Sequence, residues 1–484
     1  MLYDFRRPRL ASASILLLVF LLLGFLLRVT VHLQVPSLVH ADEVFQTQEP
    51  AHRLAYGYGV TSWEWRQGVR SWVFPAFLAG LMRATEWMGS GSRGYLSAIT
   101  IALSLLSLTT VWFGFSWAKR TSGTNAAIIA AGACATWYDL IYFAPRTLDE
   151  VVAAHLLLPG LYLGVWGERI SERKRMFLAG IFCGLAVSLR IQLAPAVAFA
   201  ALYFCRSNWR TRAPAAAAGL CLPLIAFGLV DGFTWSYPFQ SFIRYVWVNT
   251  VERRSLLYGT EPWYWYLVRL AHHFGPMMLL ALVGVRRSAF LGWVALIILA
   301  SHSILAHKEL RFVYPLMPIV VTLASLGIME IAAALGAFRK APLSSTAVVV
   351  AGLAFCGMVS LFLASLAGSH GYFSEDSGGL IAMDALSKDA NVCGVALYQV
   401  GWFATGGYAH LHHDVPIVLI PDRFTLAEQV ENFNFVLTDE ALDDRPSGFK
   451  LQQCRQGVCI YRRPGSCTPP QHNEINTVLR ATGR

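Results

Sequence analysis

Apolar runs long enough to cross a lipid bilayer recur along this chain, and they leave few folds open. The hydrocarbon core of a bilayer takes about 20 helical residues. Runs near that length fall at 10–31, 95–117, 124–142, 150–167, 176–190, 191–205, 214–230, 271–285, 288–305, 313–335 and 345–367. Only 14% of the 484 residues are charged, against roughly 25% in a soluble domain. A disordered, fibrous or ordinary cytosolic protein is thereby excluded. The pattern predicts an all-α polytopic membrane protein with about 11 transmembrane helices. The first run follows Arg6, Arg7 and Arg9. It is too long for a signal-peptide core and lacks a small-residue cleavage site, so it reads as a span.

Charge then orients the spans. The net charge of +10 would suggest nucleic acid in a soluble protein. Here the basic residues lie in short clusters between apolar runs, as membrane orientation produces, and no nucleic-acid partner is expected. With an inside N-terminus, the cytoplasmic connections carry Lys119 and Arg120; Arg169, Arg173, Lys174 and Arg175; Arg206, Arg210 and Arg212; Arg286 and Arg287; and Arg339 and Lys340. Counting 71–88 as a further span would put every cluster outside. That segment is therefore expected to be an interfacial or re-entrant helix. The far side receives 32–94, 143–150, a link near Arg190, 231–270, 306–312 and the tail.

Residues 1–369 thus read as a transmembrane module and 370–484 as a small extracytoplasmic α+β domain. The tail has strand-like pieces at 392–398, 415–420, 433–437 and 458–462. Gly457, between Cys454 and Cys459, suits a hairpin turn. Of nine cysteines, Cys134, Cys183, Cys205, Cys221 and Cys356 lie in apolar runs and read as inert small hydrophobes. In an oxidising compartment the other four allow Cys454–Cys459 across the hairpin and Cys393–Cys467.

The far-side segments hold the candidate chemistry. Adjacent carboxylates at Asp42 and Glu43 follow the first span. A carboxylate there can act as a base, or the pair can open a helix and favour its dipole, with Gln46 continuing the first turn. Trp63, Glu64 and Arg70 follow in the same loop; its tryptophans suit a sugar face or an interface anchor. His307, Lys308 and Arg311 cluster beside Glu309. Three potential cations beside one acid suit a phosphate, or they snorkel at the interface. A His-x-Glu pair without a third ligand is a poor metal site. Arg146 and Arg190 are further anion candidates, or they pair with Asp149 or Glu150. Tyr258 and Trp263 lie in an aromatic-rich stretch that fits a lipid-facing groove or an interface belt.

Four segments in order resemble glycosyltransferase family 22, the GT-C fold mannosyltransferases of N-glycan and GPI-anchor assembly. His40-Ala41-Asp42-Glu43-Val44-Phe45-Gln46 is similar to the family's HPDE-x-x-Q loop. Trp63-Glu64-Trp65 and then Arg70-Ser71 follow. Tyr258-Gly259-Thr260-Glu261-Pro262-Trp263-Tyr264-Trp265-Tyr266 is close to the YGT-x-PWHWY segment of the GPI third-mannose transferases. His307-Lys308-Glu309-Leu310-Arg311-Phe312 matches the HKE-x-RF turn. The resemblance runs from about 30 to 330. Ala41 replaces the usual proline, and Leu148-Asp149-Glu150 replaces a Ser-Asn-containing stretch, so no role passes to Asp149 or Glu150.

The resemblance implies a polyprenyl-phosphate-mannose donor, a glycan or glycolipid acceptor, inversion to an α-linkage and, generally, no metal or other cofactor. It implies Asp42 as the catalytic base with Glu43 as the alternative. It makes His307, Lys308 and Arg311 contacts to the lipid phosphate, joined by Arg146 and Arg190, and His40, Gln46, Trp63, Glu64, Arg70, Tyr258 and Trp263 substrate contacts. The alternatives are a GT-C transferase of another lipid-linked sugar and a lipid or solute transporter. Against transport, polar groups gather at helix ends instead of the midplane. The chain has no Asn-x-Ser/Thr sequon and no ER retrieval signal. A bacterial inner membrane is therefore expected over an ER membrane, with the active site on the non-cytoplasmic face.

Overall fold

Helix follows the apolar runs closely. The computed structural model describes residues 10–484 apart from 89–90, 168–169, 367–371, 374–376, 443–447, 471 and 484. Arg6, Arg7, Arg9 and Arg169 lie outside the described residues. The runs become Leu10–Gln34, Arg93–Thr136, Asp149–Val165, Glu172–Leu189, Ala194–Cys205, Trp209–Thr234, Pro276–Gly284, Ala289–Ser303, Met317–Phe338 and Ser345–Ser365. The 44-residue stretch Arg93–Thr136 covers two of them and breaks at Gly123, whose φ of 84° is open to glycine at little steric cost. The break lies just past Lys119 and Arg120, where the charge pattern expects a connection.

Among the described residues the expected count of about 11 spans is not confirmed. Five helical stretches among the described residues are long and apolar enough to cross a membrane, and the pair Trp265–Phe274 and Pro276–Gly284, bent by 102°, makes up to six. The reason is length and charge. At 1.5 Å per residue the 15 residues of Ala289–Ser303 rise only about 22 Å, short of the ~30 Å core. Glu172–Leu189 spends its first turn on Glu172, Arg173, Lys174 and Arg175. Within 71–88, Val73–Ala84 has 12 residues and reaches about 18 Å, too short to span upright.

By internal contacts the chain divides into two compact units. One comprises 1–31, 102–229 and 247–369; the other comprises 32–101, 230–246 and 370–484. In the first unit small residues let helices touch. A Cβ on Gly284 would lie 1.9 Å from the Leu323 carbonyl oxygen, and one on Gly327 would lie 2.0 Å from that of Leu280, a close approach of the kind small residues allow between membrane helices. Arg28 is fully buried there, its Nη2 donating to Thr110 Oγ1 (3.2 Å) and the Cys134 carbonyl (3.0 Å).

The second unit is built on a five-stranded sheet. Its strands are β1 Val395–Tyr398, β2 Ile417–Ile420, β3 Phe435–Thr438, β4 Lys450–Arg455 and β5 Val458–Arg462, in the order β2-β1-β3-β5-β4. β1 pairs parallel with β2 and β3, and β5 antiparallel with β3 and β4. Side chains alternate between faces. Val395, Leu397, Phe435 and Leu437 enter one core, and Ala396, Tyr398 and Val436 enter the other. The first core also takes Leu38, Val44, Phe45 and Val60 from the first outer segment. The tail and the carboxylate loop therefore share one core. Gln456 and Gly457 both have positive φ (48° and 80°), as a two-residue hairpin turn between twisted strands requires. Cys454–Cys459 and Cys393–Cys467 are both disulfides, with Cα separations of 4.0 and 5.6 Å.

Candidate active site

The carboxylate loop belongs to the second unit. Asp42 precedes a π-helical turn, Glu43–Gln48, and its side chain makes no cap hydrogen bond to that turn. Pro50 then opens the helix Glu49–Tyr56, where its missing N–H costs nothing. A π turn carries an extra residue and is often found at functional sites. Glu43 is buried, whereas Asp42, His40 and Gln46 are half-buried. Thr47 Oγ1 donates to the Glu43 carbonyl (2.6 Å), and the Trp65 indole donates to the Gln46 carbonyl (3.1 Å). Glu64 is paired with Arg70 at 2.8 Å, and Arg70 also lies over the Tyr245 ring. Trp63 is half-buried and opens the short helix Trp63–Arg66.

Below that turn Glu49 is fully buried, and neither its position nor its role was signalled by a motif. Its Oε1 accepts from Ala409 N (2.6 Å) and its Oε2 from Val60 N. Burial raises its carboxyl to about 7, against the lowering effect of those N–H donors. Beside it His52 is held down near 4, chiefly by burial, with its Nε2 3.0 Å from His412 Nδ1.

The cationic turn belongs to the first unit. Lys308, Arg311, Arg190 and Arg146 are buried there. Arg311 bridges two acids: its Nη1 meets Glu150 Oε1 at 3.0 Å, and its Nε and Nη2 meet Glu309 at 2.8 and 3.0 Å. Arg190 Nη1 lies 3.8 Å from Glu150 Oε2. Arg190 and Arg311 also sit against the Phe312 ring, 4.7 and 4.9 Å from its centroid. Lys308 Nζ donates to the carbonyls of Glu261 (3.0 Å) and Leu305. His307 Nε2 is 3.1 Å from Glu309 Oε1 and its Nδ1 is 3.1 Å from the Gly259 carbonyl. The Glu309 contact holds His307 above its ordinary value, while burial lowers Lys308. Arg146 lies over the Tyr142 ring at 4.4 Å.

The turn thus draws the Tyr258–Trp263 segment to it through backbone carbonyls. Tyr258 and Trp263 themselves are exposed, at 59% and 68%, with the Tyr258 ring 6.2 Å from that of His307. Pairing of Arg146 or Arg190 with Asp149 or Glu150 was one of the two expectations, and Arg190 does meet Glu150. The sequence shows an acid near two arginines, but only the fold shows it fully buried between Arg311 and Arg190. Among the described residues no group of three or more His, Cys, Asp or Glu side chains is arranged to hold a metal ion.

Residues 17–412 match the Alg9-like mannosyltransferase family. The chain belongs to that family. Mannose transfer is accordingly its reaction class. The family member is similar to GPI mannosyltransferase 3 of Yarrowia lipolytica, 27% identical over 466 residues that cover 90% of this chain and 83% of that protein. It is 26% identical over 320 residues to GPI alpha-1,2-mannosyltransferase 3 of Mus musculus, covering 63% of this chain and 56% of the mouse protein. It is 27% identical over 315 residues to Mannosyltransferase APTG1 of Arabidopsis thaliana, covering 61% and 55%. These matches thus take in little more than half of the mouse and Arabidopsis proteins. The crystal structure of ArnT from Cupriavidus metallidurans bound to undecaprenyl phosphate shares the fold. Its TM-score is 0.64 at 15% identity, covering 96% of this chain and 100% of that one.

Proposed function

We propose that this chain moves mannose from polyprenyl-phosphate-mannose to a hydroxyl of a glycan or glycolipid acceptor, with inversion, on the non-cytoplasmic face of a membrane. The observation that carries this reading is the buried pair Arg311 and Arg190 about Glu150, with Lys308 buried in the same turn as Arg311, in a family of mannosyltransferases. Buried cations are costly unless something anionic meets them. Glu150 and Glu309 hold the arginines in place, and a phosphate would complete their neutralisation. The undecaprenyl phosphate bound by ArnT supports a lipid phosphate as that anion.

The chemistry then divides between the two loops. A carboxylate at Asp42, with Glu43 as the alternative, takes the proton of the acceptor hydroxyl. The acceptor oxygen bonds to C1 of mannose as the C1–O bond to phosphate breaks. The electron pair leaves with the polyprenyl phosphate, whose charge meets the cationic turn. Fixed cations aimed at developing charge usually supply the largest catalytic contribution. By analogy with glycoside hydrolysis the transition state is oxocarbenium-like. The test is to supply membranes containing the enzyme with radiolabelled polyprenyl-phosphate-mannose and candidate acceptors, and to determine the product linkage. Label appearing in an α-mannoside supports the reading. Label that stays in the lipid with every acceptor, or that crosses the bilayer unchanged, overturns it.

A further inference from the structure

The second unit contains a cavity of about 480 Å³ that the catalytic reading does not use. Arg53, Arg66, Arg480, Tyr58, Tyr408 and Asp414 are among its walls. Its volume falls in the range of roughly 300–1,000 Å³ typical of small-molecule sites. The walls are firmly placed. Arg66 Nη2 donates to the Leu479 carbonyl (3.0 Å), Thr61 N to Asn476 Oδ1 (2.8 Å), and Asn476 Nδ2 to the Gly59 carbonyl (3.3 Å). Glu474 caps the helix Ile475–Thr482 that forms one side. The lining mixes forked cationic donors, carboxylate acceptors and two phenol rings. That mixture suits the many hydroxyls and apolar ring faces of a sugar better than a single anion or an apolar chain.

The cavity is also joined to the carboxylate loop. Its wall 57–66 is hydrogen-bonded to the π turn, through Ser62 Oγ to the Phe45 carbonyl (3.5 Å) and the Trp65 indole to the Gln46 carbonyl (3.1 Å). We infer that this cavity is a subsite for sugar residues of the acceptor glycan remote from the hydroxyl that receives mannose. This rests on the mannosyltransferase reading and adds where the acceptor's identity is read. Binding energy taken from remote sugars can hold the reacting hydroxyl in place.

The test uses the full chain in lipid nanodiscs with mannotetraose as the probe, followed by saturation-transfer NMR. Arg53→Ala and Arg480→Ala alter exposed rim residues, and an unchanged Tm would establish that both fold. Each should weaken mannotetraose binding by about tenfold, the worth of a hydrogen bond to a charged group. Asp42→Asn should bind as the wild type does. In the transfer assay Arg480→Ala should raise KM for a tetramannosyl acceptor and leave KM for the lipid donor unchanged. No binding by the wild type, or equal binding by folded variants, overturns the subsite. Binding lost in Arg480→Ala alongside no wild-type mannose transfer keeps the glycan site and sinks the transferase reading.

Discussion

Asp42 and Glu43 are neighbours in sequence with different surroundings. Glu43 is buried inside the π turn, while Asp42 stands before it half-buried. The more accessible carboxylate is the better placed to meet an incoming hydroxyl. Asp42→Asn keeps shape and polarity but cannot take the proton, so turnover should fall by roughly 10²–10⁴-fold with donor affinity unchanged. Glu43→Gln measured alongside identifies the base: a dead Glu43→Gln with an active Asp42→Asn would move the assignment by one residue. At the cationic turn the sign of a pH effect can be worked out. Glu309 lifts His307 above its ordinary value, so the imidazolium persists to higher pH and its charge is lost as pH rises through that raised value. Glu309→Gln should therefore move the alkaline fall in donor binding to lower pH. An unmoved limb would remove His307 from the phosphate site.

Among the elements, the strap made by Glu49 links the helix Glu49–Tyr56 to Val60 on one side and Ala409 on the other. Glu49→Gln replaces one accepting oxygen by a donor, leaving a buried N–H unmatched. A loss of about 1–3 kcal/mol is expected, seen as a lower Tm. The folded carboxyl sits near 7 instead of its ordinary 4.5. Between those values the folded chain retains a proton that the unfolded chain has released. Wild-type stability should thus fall as pH rises from about 4.5 to about 7 and then level off. Glu49→Gln should lack that slope, and a slope of equal size in the variant would assign it elsewhere. Elements were also where sequence reading succeeded best. Apolar runs of length near twenty marked helices because a helix that meets only protein and lipid is apolar all round and needs no periodicity to be seen. Lys119 and Arg120, between the runs 95–117 and 124–142, marked the break in Arg93–Thr136. The strands 395–398 and 435–438 showed as near-continuous apolar runs because both of their faces are covered. Glu49 and the Arg311 contact of Glu150 were opaque for the opposite reason: these partners are 360 and 161 residues away, and no local pattern reports such a distance, whereas pairing of Arg190 with Glu150 was among the expectations.

For the whole molecule, one core shared by 38–60 and 380–479 puts both segments on one side of a membrane. Charge placed that side opposite Lys119 and Arg120. An impermeant thiol reagent applied to intact cells or spheroplasts should label Asp439→Cys and spare Arg120→Cys, and the reverse pattern would invert the topology. Span number was poorly legible in hydropathy. Hydropathy marks every greasy helix alike, whereas crossing depends on length and bend, which appear only when Trp265–Phe274 turns by 102° into Pro276–Gly284.

The hydrogen bond from Thr61 to Asn476 closes a gap of 415 residues. A ribosome adding about 5–20 residues per second leaves that partner unmade for roughly 20–80 s after Thr61 emerges. Once residue 312 has emerged, the nascent chain carries all four motif segments and still lacks the Thr61–Asn476 bond. The helix Ile475–Thr482 is thus predicted to complete the packing of the first outer segment late. A stop codon at Asn473, which removes only Asn473 and the residues after it, should yield a membrane-inserted protein with a protease-sensitive first outer loop and no transferase activity. Full activity in that truncation would show that the loop holds its shape alone. The helix Ile475–Thr482 is thereby predicted to act as a late check on assembly, so frameshifts that remove it should silence transfer as fully as loss of Asp42.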